Sequence, residues 1–226
     1  MIIITGSGGG IGNSVIQELS RIDEMVCLYH SRKPEAQVSG NIRFEQLDIT
    51  DEAAVRKFAS SLQNAGNITL VHFAALSIDG LVMTLDYEHW KKVMDVNLNG
   101  NFLLTASLLP LMIKQSWGRI IHISSVVGQR GVKGAAAYSA SKTALDGWSK
   151  TLAREYARFN ITSNILNLGY FENGLIDSLS AAEREKILGE IPAQRLGNSS
   201  NIVNAIGFLI NSDYVSGSTI DIHGGL

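Results

Sequence analysis

The chain has little cysteine, little proline and few aromatic residues: one Cys, three Pro, and 7% Phe, Trp and Tyr in 226 residues. The single thiol, Cys27, can close no internal disulfide. It lies in the apolar run MVCLYH (25–30) and reads as a small buried hydrophobe. Neither sign of charge dominates, with 19 Lys and Arg against 21 Asp and Glu, and no long basic run occurs. That excludes the electrostatic footprint of a nucleic-acid binder. The most apolar stretch, FLLTASLLPLMI (102–113), is too short to span a membrane and carries Thr, Ser and Pro. The N-terminus, MIIITGSGGG, has no basic segment and soon reaches glycines, so it does not read as a secretion signal. The histidines show no metal-ligand spacing. These features lead us to expect a cytoplasmic protein with no membrane, nucleic-acid or metal partner.

What is present is a globular composition, 45% hydrophobic and 18% charged, in a length that suits one domain with a sizeable core. Short runs rich in Ile and Val read as strands: IIIT (2–5), MVCLYH (25–30), IRFEQL (42–47), ITLVHFA (68–74), RIIHIS (119–124), ITSNILNL (161–168) and STIDI (218–222). Several are apolar throughout, as strands buried on both faces of a parallel sheet must be. Helical stripes lie between them. The first repeats Ile11, Val15, Leu19 and Ile22. Others cover 51–63, 86–114 and about 136–159, and Pro110 is expected to kink or end the third. The alternation predicts an α/β fold: a single doubly wound Rossmann-type domain over 1–226, with a seven-stranded parallel sheet flanked by helices.

Two motifs carry chemistry. TGSGGGIG (5–12) joins the first strand to the first helix, where glycines let backbone N–H groups approach a pyrophosphate at a helix N-terminus. YSASK (138–142) sets Tyr138 and Lys142 four apart, on one face of a helix. A nearby ammonium favours a phenolate, so Lys142 is expected to lower the pKa of Tyr138.

With these motifs the chain resembles the short-chain dehydrogenase/reductase superfamily over nearly its whole length. Thr5, Gly6, Gly10 and Gly12 match the cofactor loop, Asp48 the acid that contacts adenine, Asn97 the catalytic asparagine, and Ser125 the serine thirteen residues before the tyrosine. The tail from 183 onward is similar to bacterial 3-oxoacyl-carrier-protein reductases. The resemblance implies Tyr138 as proton donor, Ser125 orienting the substrate oxygen, Lys142 binding the nicotinamide ribose, and Asn97 holding a water that links Lys142 to solvent. It implies a cofactor site of Thr5, Gly6, Ser7, Gly9, Gly10, Ile11, Gly12, His30, Ser31, Arg32, Leu47, Asp48, Ile49, Ala74, Ala75, Gly169, Phe171 and Asn173, with Tyr138 and Lys142. The family's NNAG appears as HFAA (72–75), so His72 stands for an asparagine that braces the sheet.

An acid at the end of the second strand would select NAD. Here His30 stands at that place and Arg32 follows, which favours NADP(H) over NAD(H), although Gly9 falls where many NADP-dependent members carry a basic residue. The expected activity is NADPH-dependent reduction of a ketone, a 3-oxoacyl thioester first, under a substrate lid at about 173–192. The alternatives are an alcohol, polyol or hydroxysteroid-like dehydrogenase and a catalytically silent cofactor sensor. An acyl carrier protein is a candidate partner, with Lys114, Arg119 and Arg158 as surface charges. Apolar Phe102, Leu103, Leu108, Leu111 and Trp148 exceed what one sheet covers, which predicts a homo-oligomer, tetramer first and dimer second.

Overall fold

The computed structural model describes residues 1–35, 41–63, 65–174, 176 and 180–226. Its strands are β1 (Ile2–Thr5), β2 (Met25–Tyr29), β3 (Ile42–Gln46), β4 (Ile68–His72), β5 (Gly118–Ser125), β6 (Ile161–Leu168) and β7 (Thr219–Ile222). They form one seven-stranded sheet in the order β3-β2-β1-β4-β5-β6-β7. Every pairing is parallel. The order reverses between β1 and β4, and in such sheets the ligand crevice opens beyond the carboxyl ends of the strands at that point.

The helices are α1 (Gly10–Leu19), α2 (Glu52–Ser60), α3 (Tyr87–Met94), α4 (Gly100–Gln115), α5 (Val126–Arg130), α6 (Ala136–Tyr156), α7 (Ala181–Glu190) and α8 (Ser199–Asn211). Side chains alternate across each strand and so feed two cores. One face of the sheet packs Ile3, Leu70 and Ile120 against Val55, Leu104, Leu108 and Leu152. The other packs Ile2, Ile4, Val71 and Ile121 against Val15, Ile16, Ile202 and Ile206. Each of these fully buried aliphatic side chains contributes about 1.5–3 kcal/mol through removal from water.

Three expectations change. Pro110 does not end its helix, which runs on to Gln115. A helical proline deprives the carbonyl four residues back of its donor; that residue, Ala106, is exposed like Pro110, so water replaces the lost bond. With α3 and the turn between, the helical stretch is 29 residues, long and apolar enough by composition to cross a membrane. The side chains that give it that character, Leu104, Leu108 and Met112, are fully buried in the core. Leu108 is therefore no interface residue, whereas Phe102 is 54% exposed. Arg119 is not a surface charge. It is buried at the start of β5, between β4 and β6, and its guanidinium donates to the carbonyls of Ile210, Gly118 and Asn160 at 2.9–3.1 Å.

His72 and His122 are register partners on β4 and β5, fully buried, and their rings stack at 5.2 Å. Trp148 packs against both. His72 Nε2 meets Thr105 Oγ1 at 2.9 Å and His122 Nε2 meets Ser163 Oγ at 3.2 Å. Burial, then the charge of Lys142, lowers the pKa of His122 to about 3. Burial, then His122 and Lys142, holds His72 well below the ordinary value. The fold thus refuses two protons that the unfolded chain accepts below about pH 6.5. Stability is full above that pH and is lost as pH falls from there towards 3, at up to about 1.4 kcal/mol per pH unit for each ring. Urea midpoints measured across this range should show that decline, and His122→Gln should make it shallower by about one proton. An unchanged slope in the variant would contradict the assignment.

Candidate active site

The turn between β1 and α1 is shaped by contacts that admit no side chain. Gly6 has φ +65°, and a Cβ there would lie 2.6 Å from the Ala74 nitrogen. A Cβ on Gly12 would lie 2.3 Å from the Gly6 oxygen. Thr5 Oγ1 accepts from Ala74 N at 3.0 Å, which ties β1 to the segment after β4. Ser7 is fully buried, and both its N–H and its hydroxyl donate to the Leu28 carbonyl, so it anchors the turn to β2. Asp51 and Asp86 cap α2 and α3, but no side chain among the described residues caps α1. Its first N–H groups, around Gly10, Ile11 and Gly12, keep the partial positive charge that attracts a phosphate. The residues fit a dinucleotide.

Beside this turn lies a cleft of about 790 Å³. Gly6, Gly9, His30, Ser31, Arg32, Leu47, Asp48, Ile49, Ala74 and Ala75 line it, all foreseen from the sequence. Asp48 Oδ1 accepts from Thr50 N and Oγ1, and Oδ2 lies 3.6 Å from His30 Nε2. Burial pushes the Asp48 pKa up, but the Thr50 hydrogen bonds and the His30 charge outweigh it and leave it lowered. Arg32 is exposed and sits 3.5 Å from Glu35. The opposite wall, including Leu76, Glu88, His89, Lys91, Lys92 and Val96, was not foreseen. Nothing in the local sequence pattern of these residues says that they border the cleft.

Ser125, Tyr138, Lys142, Gly169, Phe171 and Asn173 do not line this cleft. Ser125 ends β5 and caps α5 by accepting from Val127 N at 3.2 Å. It also lies near enough to Tyr138 to favour ionisation of the phenol. Lys142, 2% exposed, donates from Nζ to the Ile123 carbonyl at 2.7 Å and lies 5.5 Å from the centre of the Tyr138 ring. Burial lowers its pKa to about 8. The expected lowering of the Tyr138 pKa is not found. Burial raises it, and Ser125 opposes only part of that rise. Gly169 abuts His223, and the Phe171 ring is buried against Gly197. The Asn173 carbonyl closes on Gly10, and Asn173 has φ +59°. Of the segment 173–192, residues 175 and 177–179 lie outside the described residues; α7 exposes most of its surface and packs Ile187 and Leu188 near Ile191.

Asn97 is fully buried in a π-helical turn, Asp95–Asn99, between α3 and α4. Its Oδ1 accepts from Leu76 N at 2.7 Å, and its Nδ2 donates to Leu76 O and Ser141 Oγ, each at 2.9 Å. Ser141 Oγ donates to the Tyr138 carbonyl at 2.8 Å. The amide thus joins the cleft wall to the helix that carries Tyr138 and Lys142.

A nucleotide-binding switch point with this side-chain set defines a class, and comparison with known families agrees. Residues 1–184 match the short chain dehydrogenase family, and the chain belongs to it. It is an NAD(P)-dependent oxidoreductase acting on CH–OH or C=O groups. Among its relatives, the 3-oxoacyl-[acyl-carrier-protein] reductase FabG of Escherichia coli (strain K12) is 34% identical, over 99% of this chain and 96% of that protein. Nodulation protein G of Rhizobium sp. (strain N33) is 33% identical, over 99% and 95%. The FabG reductase of Rickettsia conorii is 33% identical over the same shares.

Proposed function

We propose that this protein reduces the keto group of a 3-oxoacyl thioester, with NADPH favoured over NADH and Tyr138 as proton donor. The observation that carries the reading is the convergence of Ser125 at the end of β5 with Tyr138 and a buried Lys142 one turn apart on α6, the Lys142 Nζ lying 5.5 Å from the centre of the Tyr138 ring. The names of the relatives above support the substrate class. A bound reduced nicotinamide supplies hydride. Ser125, held by its place at the end of β5, orients the substrate oxygen. Tyr138 is protonated in the ligand-free chain, and it delivers that proton as the oxygen gains charge. Lys142 releases Ile123 to bind the nicotinamide ribose, and its charge then steadies the phenolate left behind. Asn97 spends both amide protons on Leu76 and Ser141, so the water expected to reach Lys142 is held by its oxygens. Arg32 and His30 recognise the 2′-phosphate, with Arg32 leaving Glu35 to do so. Placement in the cytoplasm and delivery of substrate by an acyl carrier protein belong to the same reading.

The exposed Phe102, with half-buried Leu103, Leu111 and Trp148, marks α4 and α6 as a face for a second copy. Light scattering should report a tetramer or a dimer; a monomer at micromolar concentration would remove this part of the proposal.

Two measurements address the chemistry. Tyr138→Phe should lower kcat by about 10²–10⁴-fold while NADPH affinity stays near normal. Near-normal turnover would sink the acid assignment. NADPH should bind more tightly than NADH, and Arg32→Ala should shrink the difference by about tenfold, the worth of one charged hydrogen bond. Equal affinities in the unmodified protein would show that His30 and Arg32 do not select the cofactor.

A further inference from the structure

Asn97, Asn101 and Thr105 recur every fourth residue along the helix and are each at most 1% exposed. They form a polar stripe turned towards β4 and β5, where apolar residues would be expected. A buried amide or hydroxyl is costly unless its polar atoms are partnered. Asn97 and Thr105 have partners, Leu76 and Ser141 for the first and His72 Nε2 for the second. Asn101 spends its Nδ2 on the Asn97 carbonyl, at 2.9 Å. That bond falls inside the π-helical turn, where Gly100 N reaches back five residues to Asp95 O. Such turns interrupt the regular ladder of a helix and need support.

Among the buried side-chain atoms of the described residues without a direct partner are Asn101 Oδ1 and His72 Nδ1, and also Nδ1 of the stacked His122. The first two are complementary. One is an acceptor; the other donates in one of the two neutral tautomers of imidazole. The two side chains also sense each other. Burial, His122 and Lys142 all oppose charge on His72, whereas the nearby Asn101 side chain favours it.

We propose that Asn101 and His72 are positioning residues for Asn97. His72 carries its proton on Nδ1 and directs it towards Asn101 Oδ1 across one ordered water. Thr105 donates its hydroxyl proton to His72 Nε2. Asn101 is thereby fixed with Nδ2 on the Asn97 carbonyl, and the π-helical turn is held in one register. Through Asn97 and Ser141 the arrangement reaches the Tyr138 backbone, so a chain of hydrogen bonds runs from the centre of the sheet to the proton donor.

The kinetic part rests on the reductase reading above; the tautomer does not. The test starts from ¹⁵N NMR of the His72 ring in the whole protein near neutral pH. The wild type should show Nδ1 protonated and Nε2 bare, and Asn101→Leu should move the proton to Nε2 or divide it between the two. In 3-oxoacyl thioester reduction, Asn101→Leu should lower kcat by about 10²-fold, the usual effect of a small misplacement, with NADPH affinity unchanged. His72→Leu should do the same, and His72→Asn, whose amide can serve both Asn101 and Thr105, should restore most of the rate. An Nε2-protonated ring in the wild type overturns the proposal. So does a tautomer indifferent to Asn101→Leu, or a His72→Asn variant as slow as His72→Leu. If the wild type turns over no thioester, the reductase reading fails and the ring measurement alone decides the pair. It also decides if a variant does not fold.

Discussion

The side-chain amide of Asn97 holds the active half of the molecule together. It completes three hydrogen bonds without water, two to the Leu76 backbone and one to Ser141. Leu76 belongs to the wall of the cofactor cleft, and Ser141 lies beside Lys142 on α6. One residue therefore ties the wall of the cleft to the helix that carries Tyr138 and Lys142. Asn97 makes these bonds from within a π-helical turn, an irregularity of the helical backbone. Functional sites are where such local irregularity is kept.

Around that amide the fold assembles a buried polar layer on one face of a parallel sheet. An ammonium is among the costliest groups to bury, and Lys142 is 2% exposed. The fold meets the cost in two ways. The Ile123 carbonyl accepts from its Nζ, and the neighbouring His72 and His122 are kept neutral. The same exclusion of water that lowers the Lys142 pKa to about 8 raises that of Tyr138. For a reductase this is a useful resting state. The phenol is protonated, as the proposed role of Tyr138 requires, and the Lys142 ammonium donates to a carbonyl.

How much of this could be read beforehand followed from whether the physics is local. The seven strands were legible because a strand buried on both faces must be apolar along its length, as Ile2–Thr5 and Ile68–His72 are. The glycine turn was legible because close backbone approach excludes side chains, and Tyr138 with Lys142 because four residues make about one helical turn. What was not legible depends on partners far along the chain. Arg119 looks like a surface charge until β6 and α8 bring carbonyls to it. Pro110 looks like a break until its neighbours prove to face solvent. Asn101 gave one signal, the i, i+4, i+8 run Asn97–Asn101–Thr105, but polar stripes on helices usually face water. Only the burial of His72 reveals that this one faces the core.

The central claim is that this geometry reduces a carbonyl at the expense of a reduced nicotinamide. The most direct measurement is the loss of NADPH absorbance on mixing the purified protein with a short 3-oxoacyl thioester, with NADH and a simple ketone alongside. The account predicts oxidation of NADPH at a kcat of about 1–10³ s⁻¹, typical of enzymes, coupled one-for-one to the 3-hydroxyacyl product, and slower with either substitute. A protein that binds NADPH but oxidises neither cofactor with thioester or ketone would contradict it.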